Sequence, residues 1–370
     1  MTADRHRVLF VGATSFDLPL SAGLARKWDA VSEHLDVRVI GRARAHGSTD
    51  PRFRTITPRG LVYYASLPAI LAWELRRFAP EVIITQSPYE AFALLPVWKR
   101  ARRRPKLLVE LHGDWRTAPR LYGSRLRKAY AHVSDRAAAV ALRRADGTRA
   151  VSAFTAELAT ELTGRRPLAV FPTYFDLESF TSEPPRPLPE LPAVAWVGVL
   201  QRYKNPRILA DAWRLAAPEV DGARLVIVGK GPLQQVVDEL VHEFPTTVSS
   251  VPRLDPPDVA RLLDDSTLLA LSSESEGLPR VIMEAFARGR AVVSTAVGGI
   301  PDVVKTGENG ALVEPGNARQ LADALVRVLN DRELAERLGR RALEDAEQLR
   351  WTPGRYAEAL RDVVGRALET

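Results

Sequence analysis

Two glutamates, Glu276 and Glu284, stand eight positions apart in the segment SESEGLPRVIMEA, which spans residues 273–285. Their carboxylates can accept hydrogen bonds from the hydroxyls of a sugar or a ribose. Gly277 and Leu278 come directly before Pro279, which opens a predicted helix, and the free backbone amides at such a helix start bind anions. Together these residue types suggest the binding of a nucleotide sugar.

The spacing of the glutamates alone predicts little, because the chain has 24 glutamates in 370 residues. Pairs eight positions apart then occur roughly once or twice by chance. The context carries more weight. The apolar run Thr267–Leu271 reads as a buried strand, and the helix that follows the turn ends near Gly289. The segment therefore predicts an anion site at the carboxyl end of a strand.

Two more turns in the second half carry basic side chains. Gly198 opens a turn after a predicted strand, and Arg202 and Lys204 could neutralise a diphosphate without a metal. Arg253 follows another predicted strand and could contact a base edge. An exposed loop arginine is about as often only solvated, so that assignment stays open.

In the first half, His112 directly follows the apolar strand predicted at Lys106–Leu111. Its two ring nitrogens can donate or accept hydrogen bonds near neutral pH. Gly12 follows the first predicted strand and would let the backbone approach a ligand closely. Both residues are equally compatible with a purely structural role at a strand end.

Several chemistries are disfavoured by missing motifs. The chain has no cysteine, which excludes disulfides and thiolate metal sites. It has no Walker A loop and no Gly-x-Ser-x-Gly elbow, and no compact Gly-x-Gly-x-x-Gly follows the first strand. No Asp-x-Asp stands at a predicted strand end, which disfavours a metal-centred transferase.

These residues need a frame of strands and helices, and both halves of the chain alternate between the two. Such alternation predicts an α/β fold with two mostly parallel, doubly wound sheets. The proline-rich stretch 181–192 separates the halves and is predicted to be a linker. Ligands of such sheets bind at the carboxyl ends of the strands, which predicts a cleft between two domains. The predicted strands are Val8–Val11, Val37–Ile40, Val82–Thr85, Lys106–Leu111, Gly147–Val151, Ala193–Val197, Arg224–Val228, Thr247–Val251, Leu268–Leu271, Ala291–Ser294 and Ala311–Val313.

Charge divides the chain unevenly. Residues 1–180 hold 29 basic against 17 acidic residues, and residues 181–370 hold 23 against 28. Two basic stretches, Lys99–Lys106 and Arg125–Lys128, suggest contact with an anionic membrane surface or a lipid-linked acceptor, although solvated helix ends explain them equally well. Aromatic residues are not interleaved with these charges, so nucleic acid is not expected. Neither a signal peptide nor a membrane span is predicted, which makes a cytoplasmic enzyme, possibly peripheral at the inner membrane face, the expectation.

The assembled motifs resemble glycosyltransferase family 4, a family of retaining glycosyltransferases with the two-domain GT-B architecture. Glu276 to Glu284 is similar to the family's Glu-x7-Glu signature, and Gly198 to Asn205 is similar to its Gly-Arg-Leu…Lys loop. Val297–Asp302 and Gly307–Gly310 resemble the turns that follow. One departure stands out, because Val199 occupies the position of the family's arginine.

The resemblance implies a role for each matching residue. Lys204 would hold the donor diphosphate, with Arg202 in place of the missing arginine. Glu284 would bind the ribose and Glu276 the transferred sugar. The amides of Gly277 and Leu278 would meet the distal phosphate, and Arg253 remains a candidate for the base. His112 would orient the sugar, and Gly12 would begin a loop that closes on the donor.

The implied reaction moves a hexose from a UDP- or GDP-sugar to an acceptor hydroxyl with retained configuration, without a metal or other cofactor. The acceptor would be a glycan, a lipid-linked molecule or a small molecule. The implied domains are an acceptor-binding Rossmann-like domain at 1–180, the linker at 181–192 and a donor domain at 193–350. The terminal segment 351–370 would cross back to the first domain. A nucleotide-sugar epimerase of the same fold and a non-catalytic sugar-nucleotide-binding protein are the alternatives.

Overall fold

A computed structural model describes residues 5–43, 50–117 and 131–370. The chain divides into two compact units, one made of Met1–Tyr174 with Trp351–Thr370 and the other of Phe175–Arg350. Each unit has its own parallel sheet with helices connecting the strands. The prediction of two doubly wound α/β domains is therefore confirmed.

The described part of the first unit has one seven-stranded parallel sheet, in the order β3-β2-β1-β4-β5-β6-β7. The central strands are buried on both faces, which explains their continuous apolar runs in the sequence. The strand order reverses between β1 and β4, so their carboxyl ends form a topological switch point. The strands are β1 (Arg7–Phe16), β2 (Asp36–Ala43), β3 (Phe53–Ile56), β4 (Val82–Thr85), β5 (Lys106–Leu111), β6 (Gly147–Ala150) and β7 (Ala169–Val170).

Helices connect these strands, and local signals set their ends. Among the described residues before the second unit, the helices are α1 (Ala22–His34), α2 (Leu61–Arg77), α3 (Pro88–Trp98), α4 (Ala131–Arg144) and α5 (Ala153–Thr163). A capping box formed by Ser152 and Thr155 starts α5, and Gly164 ends it with a φ of 70°. The side chain of Ser87 accepts from the amide of Tyr89 and caps α3. Such caps satisfy amides and carbonyls that a helix leaves unpaired.

The second unit repeats the arrangement with six parallel strands in the order β10-β9-β8-β11-β12-β13. Its switch point lies between β8 and β11. The strands are β8 (Ala193–Val197), β9 (Arg224–Val228), β10 (Val248–Val251), β11 (Leu268–Leu271), β12 (Ala291–Thr295) and β13 (Gly310–Val313). The helices are α6 (Glu178–Thr181), α7 (Pro206–Ala216), α8 (Gln234–Glu243), α9 (Pro256–Asp264), α10 (Arg280–Ala287), α11 (Ile300–Val303), α12 (Ala318–Asn330) and α13 (Arg332–Leu349), with 3₁₀ turns at Arg202–Lys204 and Ala217–Glu219.

The last helix, α14 (Pro353–Glu369), belongs to the first unit, as the family resemblance implies. Its apolar face, which includes Tyr356 and Leu360, is buried in the same cluster as Trp28 of α1. Just before it, Trp351 stacks on Phe171 with ring centroids 5.1 Å apart.

Some boundaries differ from the predictions. The basic stretch Lys99–Lys106 follows the end of helix α3 at Trp98, where the chain turns back and the Trp98 indole donates to the carbonyl of Pro105 at 2.7 Å. Strands β3 and β7 were not predicted, since they are short and lie toward the edges of the sheet. The basic stretch Arg125–Lys128 lies outside the described residues.

The proline-rich stretch is a fixed part of the second unit, and the passage between units falls at Tyr174–Phe175 rather than at 181–192. Buried Arg288 donates to the carbonyls of Phe180, Glu183 and Pro184 at 2.7–3.2 Å. Arg290 binds the carbonyl of Arg186 in the same way. Backbone carbonyls that no helix or sheet could use are thus satisfied by two arginines.

The carboxylate of Asp264 forms ion pairs with both arginines. It accepts two hydrogen bonds from Arg288, at 2.9 and 2.6 Å, and both side chains are nearly inaccessible to solvent. Burial lowers the pKa of Arg290 to about 10, although Asp264 works in the opposite direction. The segment 180–187 is therefore held by a buried ion network.

We predict that Arg288→Met lowers the free energy of unfolding by about 3–5 kcal/mol, because it leaves a buried carboxylate and several carbonyls without their main partner. Denaturant unfolding measures this loss. The matched control is Arg319→Met, which breaks an exposed pair with Asp323 on α12 and should cost under about 1 kcal/mol. Equal losses in both variants would contradict the buried network.

Candidate functional site

Lys204 and Glu276 meet at the switch point of the second sheet. Lys204 closes the turn after β8, and Glu276 lies in the turn after β11. The Nζ of Lys204 lies 2.5 Å from Oε1 of Glu276, and the two side chains are only 11% and 9% exposed. The structure thus brings together the two residues that the family resemblance assigns to the diphosphate and the transferred sugar.

Hydroxyl groups hold the Lys204–Glu276 pair and the turns that carry it in place. Ser273 donates to Oε1 of Glu276 at 2.7 Å, and Thr295 at the end of β12 donates to the carbonyl of Ser273 at 2.7 Å. Ser272 lies within hydrogen-bond distance of the carbonyls of Lys204 and Asn205, at 2.9 and 3.0 Å. These serines and the threonine were missed by the sequence analysis. Their position at strand ends beside the switch point is the signal that could have found them.

Both side-chain contacts of Glu276 go to the same oxygen. Within the described residues, Oε2 of Glu276 has no hydrogen-bond partner, and the carboxylate is held in place by Lys204 and Ser273. An anchored carboxylate with one open oxygen can accept a hydrogen bond from a ligand hydroxyl.

The backbone of the glutamate turn is supported by a glycine turn after β12. Gly298 has a φ of +59°, and a Cβ at this position would lie 1.9 Å from the carbonyl oxygen of Glu276. The amide of Gly299 donates to the carbonyl of Gly277 at 2.7 Å. A side chain at 298 would therefore push the Glu276 turn out of place.

Glu284 lies in α10, where it is 7% exposed and paired with Arg280. The Nε of Arg280 lies 2.5 Å from Oε1 of Glu284. Burial raises the pKa of Glu284, and the charge of Arg280 only partly opposes this shift. Arg280 also donates to the carbonyl of Asp176 at 3.4 Å. Arg280 was not singled out from the sequence, and the i,i+4 spacing to Glu284 was the available signal.

Tyr203 stands beside the ion pair. Burial and the nearby charge of Glu276 raise the pKa of the Tyr203 phenol to about 12. The phenol therefore stays protonated near neutral pH and can act as a hydrogen-bond donor.

Arg202 and Arg253 are exposed, and among the described residues neither side chain forms an ion pair with Glu276. Arg202 begins the 3₁₀ turn that ends at Lys204. Arg253 pairs with Asp255 at 3.3 Å, and it follows β10, two strands from β8 and therefore about 10 Å across the sheet. Val199 is 42% exposed. The roles of the two arginines stay predictions.

His112 lies at the carboxyl end of β5 in the first unit and is held at both ring nitrogens. Nδ1 lies 3.2 Å from the hydroxyl of Thr173, and Nε2 lies 3.2 Å from Oε2 of Glu110. The other carboxylate oxygen of Glu110 accepts from buried Arg149 at 2.7 Å. Arg149 also donates to the carbonyls of Phe171 and Pro172. The ring orientation of His112 is therefore set by a chain of polar contacts.

Several positive groups surround Glu110. Burial alone would raise its pKa, but Arg149, the His112 ring and Lys27 together lower the pKa of Glu110 to about 2. Burial lowers the pKa of Lys27 to about 8, against the attraction of Glu110. Glu110 is thus an ionised carboxylate at neutral pH. It can accept a hydrogen bond from an N–H group of His112, but it has no proton to donate. Arg149 and Thr173 were missed by the sequence analysis.

Gly12 lies inside β1, which continues to Phe16 with a register shift between Val11 and Ser15. The prediction that a loop begins at Gly12 is therefore wrong for the described structure. A Cβ at Gly12 would lie 1.9 Å from Oε1 of Gln86, and Thr14 donates to that same oxygen at 2.6 Å. The side chain of Gln86 thus covers Gly12 at the switch point of the first sheet.

Among the described residues, no group of three or more His, Asp or Glu side chains could hold a metal ion. Within the same residues, no helix has the length and apolar character needed to cross a bilayer.

Solved structures share this architecture over nearly the full chain. The sucrose-phosphate synthase of Thermosynechococcus elongatus matches with a TM-score of 0.74 at 20% identity, covering 98% of both chains. Anabaena HepE in complex with UDP-glucose matches with a TM-score of 0.71 at 19% identity, covering 96% of this chain and 98% of that one. The protein therefore has the GT-B fold, with two Rossmann-like parallel-sheet domains.

Family models identify the chain more closely. The glycosyltransferase family 4 model matches residues 6–179, and the glycosyl transferases group 1 model matches residues 182–345. The chain belongs to this family of GT-B glycosyltransferases, as the motifs predicted.

Curated relatives match over a shorter region. N-acetyl-alpha-D-glucosaminyl L-malate synthase of Bacillus anthracis is 36% identical over 153 residues, which are 40% of this chain and 39% of that protein. D-inositol 3-phosphate glycosyltransferase of a Nocardioides species is 36% identical over 182 residues, which are 44% of this chain and 40% of that protein. The match spans about two fifths of the length of these relatives.

We predict that the Glu110–Arg149 pair makes folding sensitive to acid. The folded pKa of Glu110 lies near 2 and the ordinary value is 4.5. A lowered pKa contributes stability above pH 4.5, and this contribution is lost as the pH falls toward 2. The loss should be on the order of 3 kcal/mol. Denaturant unfolding as a function of pH measures it.

The double variant Glu110→Gln/Arg149→Met should show a shallower fall over the same pH range. The control is Arg332→Met/Glu336→Gln, which removes an exposed pair on α13 and should behave as the wild type. Parallel curves for all three proteins would contradict a strongly lowered pKa at Glu110.

Proposed function

We propose that this protein transfers a sugar from a nucleoside diphosphate sugar to an acceptor hydroxyl with retention of configuration. The observation that carries the proposal is the Lys204–Glu276 pair at the switch point of the second sheet, beside the turn that leads into α10. A nucleotide sugar needs both a cation for its diphosphate and an anchored acceptor for its sugar hydroxyls. Ligands of open α/β sheets bind at such switch points.

In this proposal Lys204 binds the diphosphate and stabilises the charge that develops on it as the glycosidic bond breaks. A buried or nearly buried cation stabilises a nearby negative charge more strongly than a solvated cation does, because its surroundings screen it less. Donor binding would draw Lys204 from Glu276 to the phosphate. Glu276 would then be free to accept hydroxyl groups of the sugar while Ser273 still holds Oε1.

Glu284 and the turn at Gly277–Leu278 complete the donor site in the proposal. Glu284 accepts hydrogen bonds from the ribose hydroxyls. Its ion pair with Arg280 offsets part of the desolvation free energy of a charge at this buried position. The amides of Gly277 and Leu278 bind the distal phosphate. His112, held by Thr173 and Glu110, orients the sugar, and positioning of this kind lowers the barrier without a chemical step of its own.

The chemistry balances with few protein groups. The bond between the anomeric carbon and the diphosphate oxygen breaks, and the acceptor oxygen attacks the same face of an oxocarbenium-like sugar. The leaving phosphate takes the acceptor's proton, so no dedicated base and no metal are needed. The names of two relatives support a sugar transferred to a small hydroxyl compound, and the HepE complex makes UDP-sugars the first donors to test.

The epimerase alternative is less well supported by the site. It would need an acid and a base around the sugar ring, drawn from His112, Glu110 and Asp114. Glu110 is committed to Arg149 with a pKa of about 2, and Asp114 accepts hydrogen bonds from Arg116 and Thr117. Incubating the donor without acceptor separates the two reactions, since slow hydrolysis favours the transferase and an epimerised sugar favours the alternative.

The direct test combines binding with product analysis. A thermal-shift screen against nucleoside diphosphates and their sugars identifies the donor, because a ligand of the folded state raises the melting temperature. NMR of the product then gives the anomeric configuration, which we expect to be that of the donor. Activity should survive dialysis against EDTA. An inverted product or full loss of activity with EDTA would contradict the proposed mechanism.

We predict that Lys204→Ala and Glu276→Ala each lower the rate of transfer by about 100- to 1000-fold, the usual effect of losing one group that stabilises the transition state. Each variant must be assayed below its own melting temperature, because each leaves a nearly buried charge unpaired. Lys305→Ala is the matched control, since Lys305 is an exposed lysine of the same unit that binds the carbonyl of Pro301. Wild-type rates in both site variants would refute the assignment.

A further inference from the structure

A basic groove lies at the amino-end edge of the first sheet. It has a volume of about 1210 Å³ and is lined by seven basic side chains and one acidic side chain, Glu81. The groove is bounded by the start of β1, the start of β5 and the ends of α2 and α3. Lys106 at the groove and His112, the candidate site residue of the first unit, stand at opposite ends of β5, about 20 Å apart. The groove is therefore distinct from the carboxyl-end edge of the sheet, where ligands of such sheets bind.

Part of this charge has a structural use. Arg7 donates to the carbonyl of Ala79, and Arg100 donates to the carbonyl of Pro96 at the end of α3. Arg104 stacks on Trp98 and pairs with Asp146 at 3.4 Å. These contacts are what helix ends normally require, because their free carbonyls attract cations.

The remaining basic residues lack such partners. Within the described residues, Arg76, Arg102, Arg103 and Lys106 have no ion-pair partner, and the three arginines are exposed. Glu81, the acidic lining residue, already accepts from His6 and from the amide of Arg7. The groove thus holds cations that the fold itself does not neutralise.

The charges around the groove do not cancel. Three helices, α2, α3 and α14, end at this edge, and each helix end contributes about half a negative charge. Together with Glu81 and Asp146, they offset between three and four of the seven basic groups. Between three and four positive charges then remain around one cavity, which is enough to attract a multiply charged anion.

Apolar side chains also line the groove. Leu75, Val97 and Leu368 lie there together with three prolines. A groove with both cationic and apolar lining fits a ligand with an anionic head and an organic body. We propose that this groove binds phosphate groups, either those of anionic lipid headgroups or those of a soluble organic or inorganic phosphate.

The proposal is independent of sugar transfer, and its test uses the full chain in two arms. The first arm measures co-sedimentation with phosphatidylcholine vesicles that contain phosphatidylglycerol, against pure phosphatidylcholine. The second arm measures binding of inorganic tripolyphosphate by calorimetry. Both are done at physiological salt, since weak surface attraction is screened there.

We expect the wild type to bind in at least one arm, and the arm identifies the source of the phosphate. The double variant Arg102→Ser/Arg103→Ser should bind roughly 30-fold more weakly. This fold-change corresponds to about 1 kcal/mol of binding free energy for each basic residue removed. The control Arg327→Ser/Arg340→Ser changes the net charge equally, on exposed residues of the second unit, and should bind as the wild type.

Two results would overturn the proposal. One is the absence of binding by the wild type in both arms, and the other is equal binding by the two double variants. Transfer to a soluble acceptor, measured in parallel, should be unchanged in both. Absence of transfer by the wild type, with groove binding intact, would instead count against the proposed function, so the two failures can be told apart.

Discussion

The nearly buried ion pair between Lys204 and Glu276 is the constraint on which the second unit's site depends. Two charges removed from water are tolerable only when each meets the other and further hydrogen bonds satisfy them. The chain meets this requirement by ending β8 and β11 side by side, with Ser273 and Thr295 supporting the glutamate turn. The parallel order of the sheet is thus what makes the pair possible.

The sequence predicted this frame well where the physics is local. Strands buried on both faces must be continuously apolar, so runs such as Leu268–Leu271 were recognisable on their own. Strand β7, with two residues of which one is exposed, offers no such run and was missed. The same limit applies to the end of α3, which depends on a hydrogen bond from Trp98 to Pro105.

The proline-rich stretch at 181–192 shows a second limit of prediction from sequence. A proline-rich stretch looks flexible because it cannot join a helix or a sheet, but its carbonyls remain good acceptors. Arg288 and Arg290, about a hundred positions later, bind those carbonyls and fix the stretch to the second unit. Sequence pattern cannot show a partner so distant, and the same holds for Arg149 and Thr173, which fix His112. The sequence therefore indicated Lys204, Glu276 and His112 as candidate site residues, whose roles stay predictions, and it did not indicate the residues that hold them.

Charge of the same sign is used in opposite ways within the first unit. At the carboxyl end of the sheet, Arg149 is buried and matched by Glu110, so it orders its neighbours and leaves no charge for a ligand. At the amino end, Arg102 and Arg103 are exposed beyond the last turn of α3, where they add nothing to its hydrogen bonds. An unmatched charge contributes to folding only through repulsion, which slightly destabilises the compact state. Cations kept together at such a cost are best explained by an anion outside the chain.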